Sequence, residues 1–328
     1  MTNATTTDEE EPTFVRIPAP DTVSPQAQAF INAPVNLELV RTVPKGIDAW
    51  HTSKAEANGA MMMMVAGMKE GMPVSVDNGT LADVPVRYVT PTELSDSRKN
   101  KIVLNAHGGG YVYFDGECCL LEALPLAWQT GYKVVTPDFR TPPDHPFPAA
   151  IEDVFATYKE LLKSYSPEDI AFYGASSGGA LCLGALLMAQ EEGVPMPAAL
   201  GLSTPWAELG KSGGSYLANE GLDPIGYTYD GGLAAAASLY AGDADIKNPL
   251  ISPVHANYSE GFPPSLIITG TRDLFLSNSV RLHRKLRGSG LDSDLHVFEA
   301  MWHSFFGVPE TEAAMAEVTR FFDKNFQL

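Results

Sequence analysis

The sequence is poor in cysteine. It has three cysteines, Cys118, Cys119 and Cys182, in 328 residues. This odd and low count excludes a disulfide framework, and the spacing does not match a zinc site. We interpret the adjacent pair as two small packed residues on one helix, with a redox-active pair as the alternative.

Basic residues are also scarce, with 22 Lys and Arg against 40 Asp and Glu and a formal net charge of −18. Nucleic-acid binding is therefore excluded, because phosphate contacts need clustered Lys and Arg. An anionic membrane surface would repel such a chain for the same reason. The charge suggests weak electrostatic discrimination against acidic substrates, and a generic acidic surface is the alternative.

No long hydrophobic run is present. No stretch of the sequence reaches the roughly 18 apolar residues that a membrane span needs. The segment Met1–Ala4 is followed by an acidic run over 8–11, without the basic and apolar regions of a signal peptide, so a cytoplasmic location is expected. Residues 1–25, rich in Thr, Glu and Pro, are predicted to be loosely ordered.

Strands and helices alternate from about residue 73. Strands are predicted at 73–77, 84–90, 101–106, 133–137, 169–173, 198–203, 265–270 and 294–299, and helices at 117–130, 149–164, 177–192, 277–288 and 310–326. This alternation predicts an α/β fold with a mostly parallel sheet. The first two strands have no helix between them and predict an antiparallel start.

Two segments fall outside this alternation. Helices are predicted at 26–33 and 47–70, and segment 205–262, with one helix near 230–241, is interpreted as an insertion over the sheet edge where such folds bind ligands. The second helix contains Met61–Met64, which cannot all face one core. Part of it is expected to contact either a substrate channel or the main domain.

The most specific motif is Gly174-Ala175-Ser176-Ser177-Gly178-Gly179, between an apolar strand and a helix rich in Ala and Leu. It is the G-x-S-x-G pattern in its strand–turn–helix setting, which predicts a nucleophilic serine on a tight turn. The alternative is a glycine-rich turn that begins a helix. Ser176 fits the pattern, whereas Ser177 would need glycine at position 175.

A second glycine motif, His107-Gly108-Gly109-Gly110-Tyr111, follows the strand at 101–106. Consecutive glycines allow backbone N–H groups to face the oxyanion of an acyl-transfer reaction. Gly109, Gly110 and the N–H of Ser177 are the candidate donors, and His107 is interpreted as a structural anchor of the loop. No Lys-Ser/Thr pair follows, which excludes a P-loop.

The general base should follow the nucleophile in the sequence. Four histidines do so: His255 in a loop, His283 within a helix, His296 within a strand, and His303 after the last strand. We predict that His303 is the base because it emerges over the carboxyl edge of the sheet.

The acid that orients the base is predicted to be Asp273, directly after the strand that precedes the one leading to His303. Asp292 and Asp294 stand at the wrong end of a strand, and Glu299 is a weaker alternative. Ser176, His303 and Asp273 would form an acyl-enzyme from a small-molecule ester and hydrolyse it with water, without a metal or organic cofactor.

Taken together, these motifs resemble the hormone-sensitive-lipase family (bacterial family IV) of α/β-hydrolase esterases over about residues 75–325. The matching pieces are His107–Tyr111, Asp138–Arg140, Pro142–Ala150, the serine motif, Asp273 and His303. The resemblance implies an eight-stranded, mostly parallel sheet flanked by helices. It also implies a helical cap from residues 1–72 and an insertion at about 205–250, with 73–328 as the catalytic domain.

The same resemblance implies short-to-medium acyl esters as substrates and a homodimer. Two departures stand beside the nucleophile: Ala175 where the family has Asp or Thr, and Ser177 where it has Ala. A lactone hydrolase with the same triad is the alternative function, and a non-catalytic small-molecule receptor is disfavoured because all three triad positions are filled. Tyr111, Trp206 and Tyr227 are candidates to line the substrate pocket.

Overall fold

Eight strands form a single sheet in a computed structural model that describes residues 17–328, apart from the side chains of Leu37 and Leu39. In chain order the strands are β1 (Val74–Leu81), β2 (Val84–Pro91), β3 (Ile102–Ala106), β4 (Lys133–Pro137), β5 (Ile170–Ala175), β6 (Ala199–Ser203), β7 (Ser265–Gly270) and β8 (Ser293–Phe298).

Their spatial order is β1-β2-β4-β3-β5-β6-β7-β8. The pairs β1–β2 and β2–β4 are antiparallel, and every other pair is parallel. The predicted eight-stranded, mostly parallel sheet with an antiparallel start is thus confirmed. Strands β3, β5 and β7 are buried along their whole length, as expected for parallel strands covered on both faces.

Ten α-helices lie within the described residues. They are α1 (Pro25–Asn32), α2 (Leu37–Arg41), α3 (Ile47–Gly71), α4 (Leu120–Thr130), α5 (Ala149–Leu161), α6 (Ser177–Glu192), α7 (Ser215–Ala218), α8 (Gly232–Ala241), α9 (Leu276–Gly288) and α10 (Pro309–Asn325). The sequence did not predict the short helices α2 and α7. It also placed the start of α4 too early, since a 3₁₀ turn occupies Gly116–Cys119, and the end of α5 three residues too late.

The helices cover both faces of the sheet. Residues of α5, α6 and α9 pack on one face, and residues of α4 and α10 pack on the other, joined by α1. Helix α6 is buried on nearly all sides, because its sequence is apolar around the whole circumference. The serine motif at the N-terminus of α6 therefore lies near the centre of the sheet.

Helix α3 packs over the loop that follows β3, where Trp50 joins Val112 and Ala236 in a small apolar cluster. The methionine run is expected to contact either a substrate channel or the main domain. Met62, Met63 and Met64 are 52%, 79% and 43% exposed, so they do not make a buried contact with the main domain. The next residue, Val65, is buried against the core, so these three methionines lie on the solvent side of a helix that packs here. Contact with a channel stays a prediction.

The prediction for residues 1–25 falls mostly on residues 1–16, outside the described part; 17–24 form no helix or strand. Among residues 17–328, no helix has both the length and the apolar character needed to cross a membrane.

Candidate active site

Ser176 occupies the sharp turn between β5 and α6. Its backbone has φ 54° and ψ −126°, a region that side chains rarely adopt and that stores strain. The turn is held by the Ser176 N–H, which donates to the Ser203 carbonyl at 3.0 Å, and by the Ser176 carbonyl, which accepts from Gly179 and Trp206. The serine side chain therefore stands at the carboxyl edge of the sheet.

The glycines on either side of Ser176 are required by close approach. A Cβ at Gly174 would lie 2.5 Å from the backbone of Gly178, and a Cβ at Gly178 would lie 1.9 Å from the carbonyl oxygen of Ala106. Helix α6 can thus begin against the end of β3 only with glycine at these positions. This is the physical reason for the glycine pattern that the sequence shows.

The three predicted triad residues meet at this edge. The Ser176 Oγ lies 2.8 Å from His303 Nε2, and His303 Nδ1 lies 3.3 Å from Asp273 Oδ1. Ser176, His303 and Asp273 are 7%, 6% and 0% exposed. With the tautomer assigned from these partners, Nδ1–H donates to the carboxylate and Nε2 accepts from the serine hydroxyl, which is the arrangement of an activated nucleophile.

Asp273 is held in this orientation by its own neighbours. Its Oδ2 accepts from the hydroxyl of Thr269 at 2.7 Å, and its Oδ1 also accepts from the N–H of Phe275 at 2.8 Å. The Phe275 ring meets the His303 imidazole edge to face, with ring centres 4.8 Å apart. The carboxylate is thus fully buried yet satisfied, so it can support a positive charge on the imidazole.

The pKa of His303 reflects two opposing effects. Burial lowers it, but the hydrogen bond and charge of Asp273 raise it, and the charges of Asp223 and Glu122 add to that increase. The net result is a pKa above the ordinary value. The base therefore gains affinity for the proton that it would take from Ser176.

The glycine loop after β3 lies against the serine. Gly109 and Gly110 have φ 111° and 60°, and within residues 17–328 neither N–H donates to a protein acceptor. A Cβ at Gly108 would lie 3.2 Å from Ser176 Cβ. Ser177 is the first residue of α6, and the N–H of a first helical residue has no partner inside the helix. The N–H groups of Gly109 and Gly110 thus follow Gly108 directly in the chain, and that of Ser177 follows Ser176.

Glu122 of α4 is a site residue that the sequence reasoning missed. Its Oε1 accepts from the N–H of Gly108 at 2.6 Å, and its Oε2 accepts from the amide of Asn105 at 3.3 Å. Burial raises its pKa to about 7, against the opposing hydrogen bonds of Gly108, Asn105 and Ala175. The residue is half-buried, so part of it stays accessible to solvent. A lone acid in the apolar run of α4 was the available signal.

The other predicted residues lie around this centre. His107 is buried and stacks on Phe139 with ring centres 4.2 Å apart, and burial lowers its pKa to about 4. It is therefore neutral at pH 7 and fits the predicted anchoring role. The Ser177 hydroxyl is buried without a hydrogen-bond partner in the described part of the chain, and no contact with His303 supports it as the nucleophile.

The three pocket candidates do not share one environment. Tyr111 is 2% exposed and Trp206 is 0% exposed, and the Tyr111 hydroxyl donates to the Trp206 carbonyl at 2.8 Å. Tyr227 is half-buried in the insertion, and its carbonyl accepts from the N–H of Gly221. Contact of these residues with substrate stays a prediction.

The histidines that were set aside lie in other surroundings. His255 pairs with Glu208, His283 lies 3.0 Å from the Ser293 hydroxyl, and His296 faces Glu317. Glu299, the weaker alternative acid, is exposed. Among the described residues, no group of three or more His, Cys, Asp or Glu side chains could hold a metal ion.

The chain is similar to known hydrolases in sequence and in fold. A family described as the alpha/beta hydrolase fold matches residues 103–307. The chain is 28% identical to an acetyl-hydrolase of Streptomyces hygroscopicus over 270 residues, which cover 81% of this chain and 88% of the relative.

Solved structures agree with this result. The crystal structure of an esterase matches with a TM-score of 0.90 at 38% identity, covering 96% of this chain and 98% of that chain. The crystal structure of an esterase from the bacterial hormone-sensitive lipase family matches with a TM-score of 0.79 at 28% identity, covering 92% and 99%.

Proposed function

This chain belongs to the hormone-sensitive-lipase family of α/β hydrolases and is a carboxylic ester hydrolase, and we propose that it works through a triad of Ser176, His303 and Asp273. The observation that carries the proposal is the continuous line of contacts from Ser176 Oγ through both imidazole nitrogens to Asp273, at 2.8 and 3.3 Å.

Acylation begins when Ser176 Oγ attacks the ester carbonyl. The Oγ–C bond forms as the hydroxyl proton passes to His303 Nε2, and the imidazolium is stabilised by the carboxylate of Asp273. The negative charge on the carbonyl oxygen is stabilised by the N–H groups of Gly109, Gly110 and Ser177. The imidazolium then returns its proton to the alkoxide leaving group as the C–O bond breaks.

Deacylation repeats these steps with water as the nucleophile. His303 takes a proton from water as the water oxygen attacks the acyl carbonyl. It returns this proton to Ser176 Oγ as the bond between Oγ and the acyl carbon breaks and the carboxylic acid leaves. Glu122 holds the loop of the oxyanion donors throughout, because its carboxylate binds the Gly108 N–H at 2.6 Å.

The substrates are short-to-medium acyl esters, and the cap determines which of them enter. The described part of the N-terminal cap lies over the oxyanion loop, where Asn58 accepts from the Phe114 N–H at 2.8 Å. The insertion at 205–250 contacts the loops of the triad, because Asp223 accepts from the N–H groups of Leu274 and His303. Because the Asp273 carboxylate lies beside His303 and the chain carries a formal net charge of −18, neutral esters are favoured over anionic ones.

A fluorophosphonate probe tests the nucleophile. Labelling is expected at Ser176, and Ser176→Ala should abolish both labelling and the hydrolysis of p-nitrophenyl acetate. Ser177→Ala keeps its backbone N–H and should stay labelled. Unchanged turnover in Ser176→Ala would refute the assignment. A panel of esters from acetate to decanoate, together with several lactones, separates the ester function from the lactonase alternative.

A further inference from the structure

Asp223, in the insertion between α7 and α8, is a completely buried carboxylate whose two oxygens each accept two backbone N–H groups. Its Oδ1 accepts from Ile225 and Gly226, both at 2.9 Å, in its own turn. Its Oδ2 accepts from Leu274 at 2.9 Å and from His303 at 3.0 Å.

The two bonds of Oδ2 join two separate loops. Leu274 directly follows Asp273 in the loop after β7, and His303 lies in the loop after β8. One oxygen atom therefore ties the backbone of the triad acid to the backbone of the triad base. Asn219 of the same insertion adds to this connection, because its amide donates to the carbonyls of Thr271 and Asp273 at 3.1 and 2.8 Å.

We infer that Asp223 is a positioning residue of the catalytic triad, through which the insertion sets the distance between Asp273 and His303. The inference rests on the proposed function of the triad. The contact between His303 and Asp273, at 3.3 Å, is longer than the contact between His303 and Ser176. The alignment of the acid and the base therefore depends on the backbone bridge that Asp223 makes.

Asp223 also acts on His303 through its charge. The groups that face the imidazole are Asp273 from the loop after β7, Asp223 from the insertion and Glu122 from α4. Each of these carboxylates stabilises the imidazolium when it is ionised, so removal of the Asp223 charge lowers the pKa of His303. The acid limb of kcat/KM reports the base of the free enzyme and follows this change to lower pH.

Two substitutions separate position from charge. Asp223→Asn must turn its NH₂ toward one of the two pairs of N–H donors, so the bridge is disturbed and the charge is lost. We expect kcat to fall about a hundredfold, as for a catalytic group misplaced by about 1 Å, and the acid limb to move to lower pH. Asp223→Glu keeps the charge, but its longer side chain moves the carboxylate away from the four N–H donors. We therefore expect kcat to fall while the acid limb stays at the same pH.

The matched control is Asp230→Asn, which removes the same charge from the same insertion at a side chain that is 70% exposed; its kcat and acid limb should equal those of the wild type. Rates are normalised to folded protein by near-UV circular dichroism and measured on p-nitrophenyl acetate.

A wild-type kcat and acid limb in Asp223→Asn overturn the inference. If that variant does not fold, a wild-type kcat in Asp223→Glu overturns it instead. Loss of labelling in Ser176→Ala is an independent result, so the triad can stand while this inference fails.

Discussion

Glu122 lies beside the turn of the nucleophile. At the position before Ser176 the resemblance to the family implies Asp or Thr, whereas this chain has Ala175. The carboxylate of Glu122 binds the backbone of Ala175 and of Gly108. Helix α4 therefore supplies an acceptor to both the nucleophile turn and the glycine loop.

The raised pKa of Glu122 makes a prediction about stability. In the unfolded chain this carboxyl titrates near its ordinary 4.5, and in the folded protein near about 7. A raised folded pKa means that the group's favourable contribution to the free energy of unfolding is present below pH 4.5 and is lost as the pH rises through 7. Glu122→Gln does not titrate, so the wild type should lose stability relative to this variant between pH 5.5 and 8.5.

Urea unfolding at the two pH values measures this difference. Glu260→Gln, a change at an exposed glutamate, is the control and should show no such trend. A difference between wild type and Glu122→Gln that does not vary with pH would contradict the titration assigned to Glu122.

At the scale of elements, the junction of β5 and α6 positions the nucleophile by backbone contact alone. Ser176 has φ 54°, and its carbonyl and N–H are bound by the chain on either side and by β6. The strain at this residue is retained because the surrounding sheet and helix are buried and leave no room to relax. Glycine is therefore needed at positions 174 and 178. Its replacement would first displace the turn that carries Ser176, and activity would fall as a consequence.

Gly178→Ala tests this junction. The new Cβ would lie 1.9 Å from the Ala106 carbonyl oxygen, so α6 or β3 must move. We expect a loss of about 3 kcal/mol or more in the free energy of unfolding, at the upper end of overpacking effects, together with a large loss of kcat.

Gly67→Ala in α3 is the matched control, because Gly67 is exposed and a Cβ there has no neighbour within 4 Å. It should gain roughly 0.5–1 kcal/mol, since alanine restricts the unfolded chain and favours the helix. Denaturant unfolding measures both variants. Wild-type stability and kcat in Gly178→Ala would show that this close approach is not needed.

At the scale of the whole molecule, the N-terminal helices are attached to the catalytic loops by polar contacts. Lys54 forms an ion pair with Asp115 at 2.7 Å, and Asn58 binds both Asp115 and the N–H of Phe114. Arg272, next to Asp273, donates to the carbonyls of Ile17 and Pro18. Polar contacts thus connect the described N-terminal part of the chain to the loops that follow β3 and β7.

Asn58→Ala tests that connection. It removes the acceptor of the Phe114 N–H and a donor to Asp115, which should cost about 1–3 kcal/mol in the free energy of unfolding. Because Phe114 lies in the loop that carries Gly109 and Gly110, kcat should fall as well.

Thr52→Ala, at an exposed position of the same helix, should change stability by less than about 0.5 kcal/mol. Thermal unfolding and p-nitrophenyl acetate turnover check both variants. Equal kcat in Asn58→Ala and the wild type would argue against control of the loop after β3 by helix α3.

The homodimer and the cytoplasmic location stay predictions.

The sequence by itself determined the sheet, its antiparallel start and the order of Ser176, Asp273 and His303. These features are local: hydrophobic period and glycine spacing mark each strand and turn, and parallel strands bring their carboxyl ends to one edge. The predicted triad positions therefore follow from chain order.

Only the tertiary structure decided the contacts of Glu122 and Asp223. Glu122 is a lone acid in the apolar run of α4, and Asp223 lies in a turn of the insertion. The sequence at neither position shows which backbone groups the carboxylate binds. Their partners, Gly108, Leu274 and His303, are brought to them by packing of α4 and of the insertion on the finished sheet. Hydrogen bonds between distant segments depend on that packing, and this is why local pattern could not reveal them.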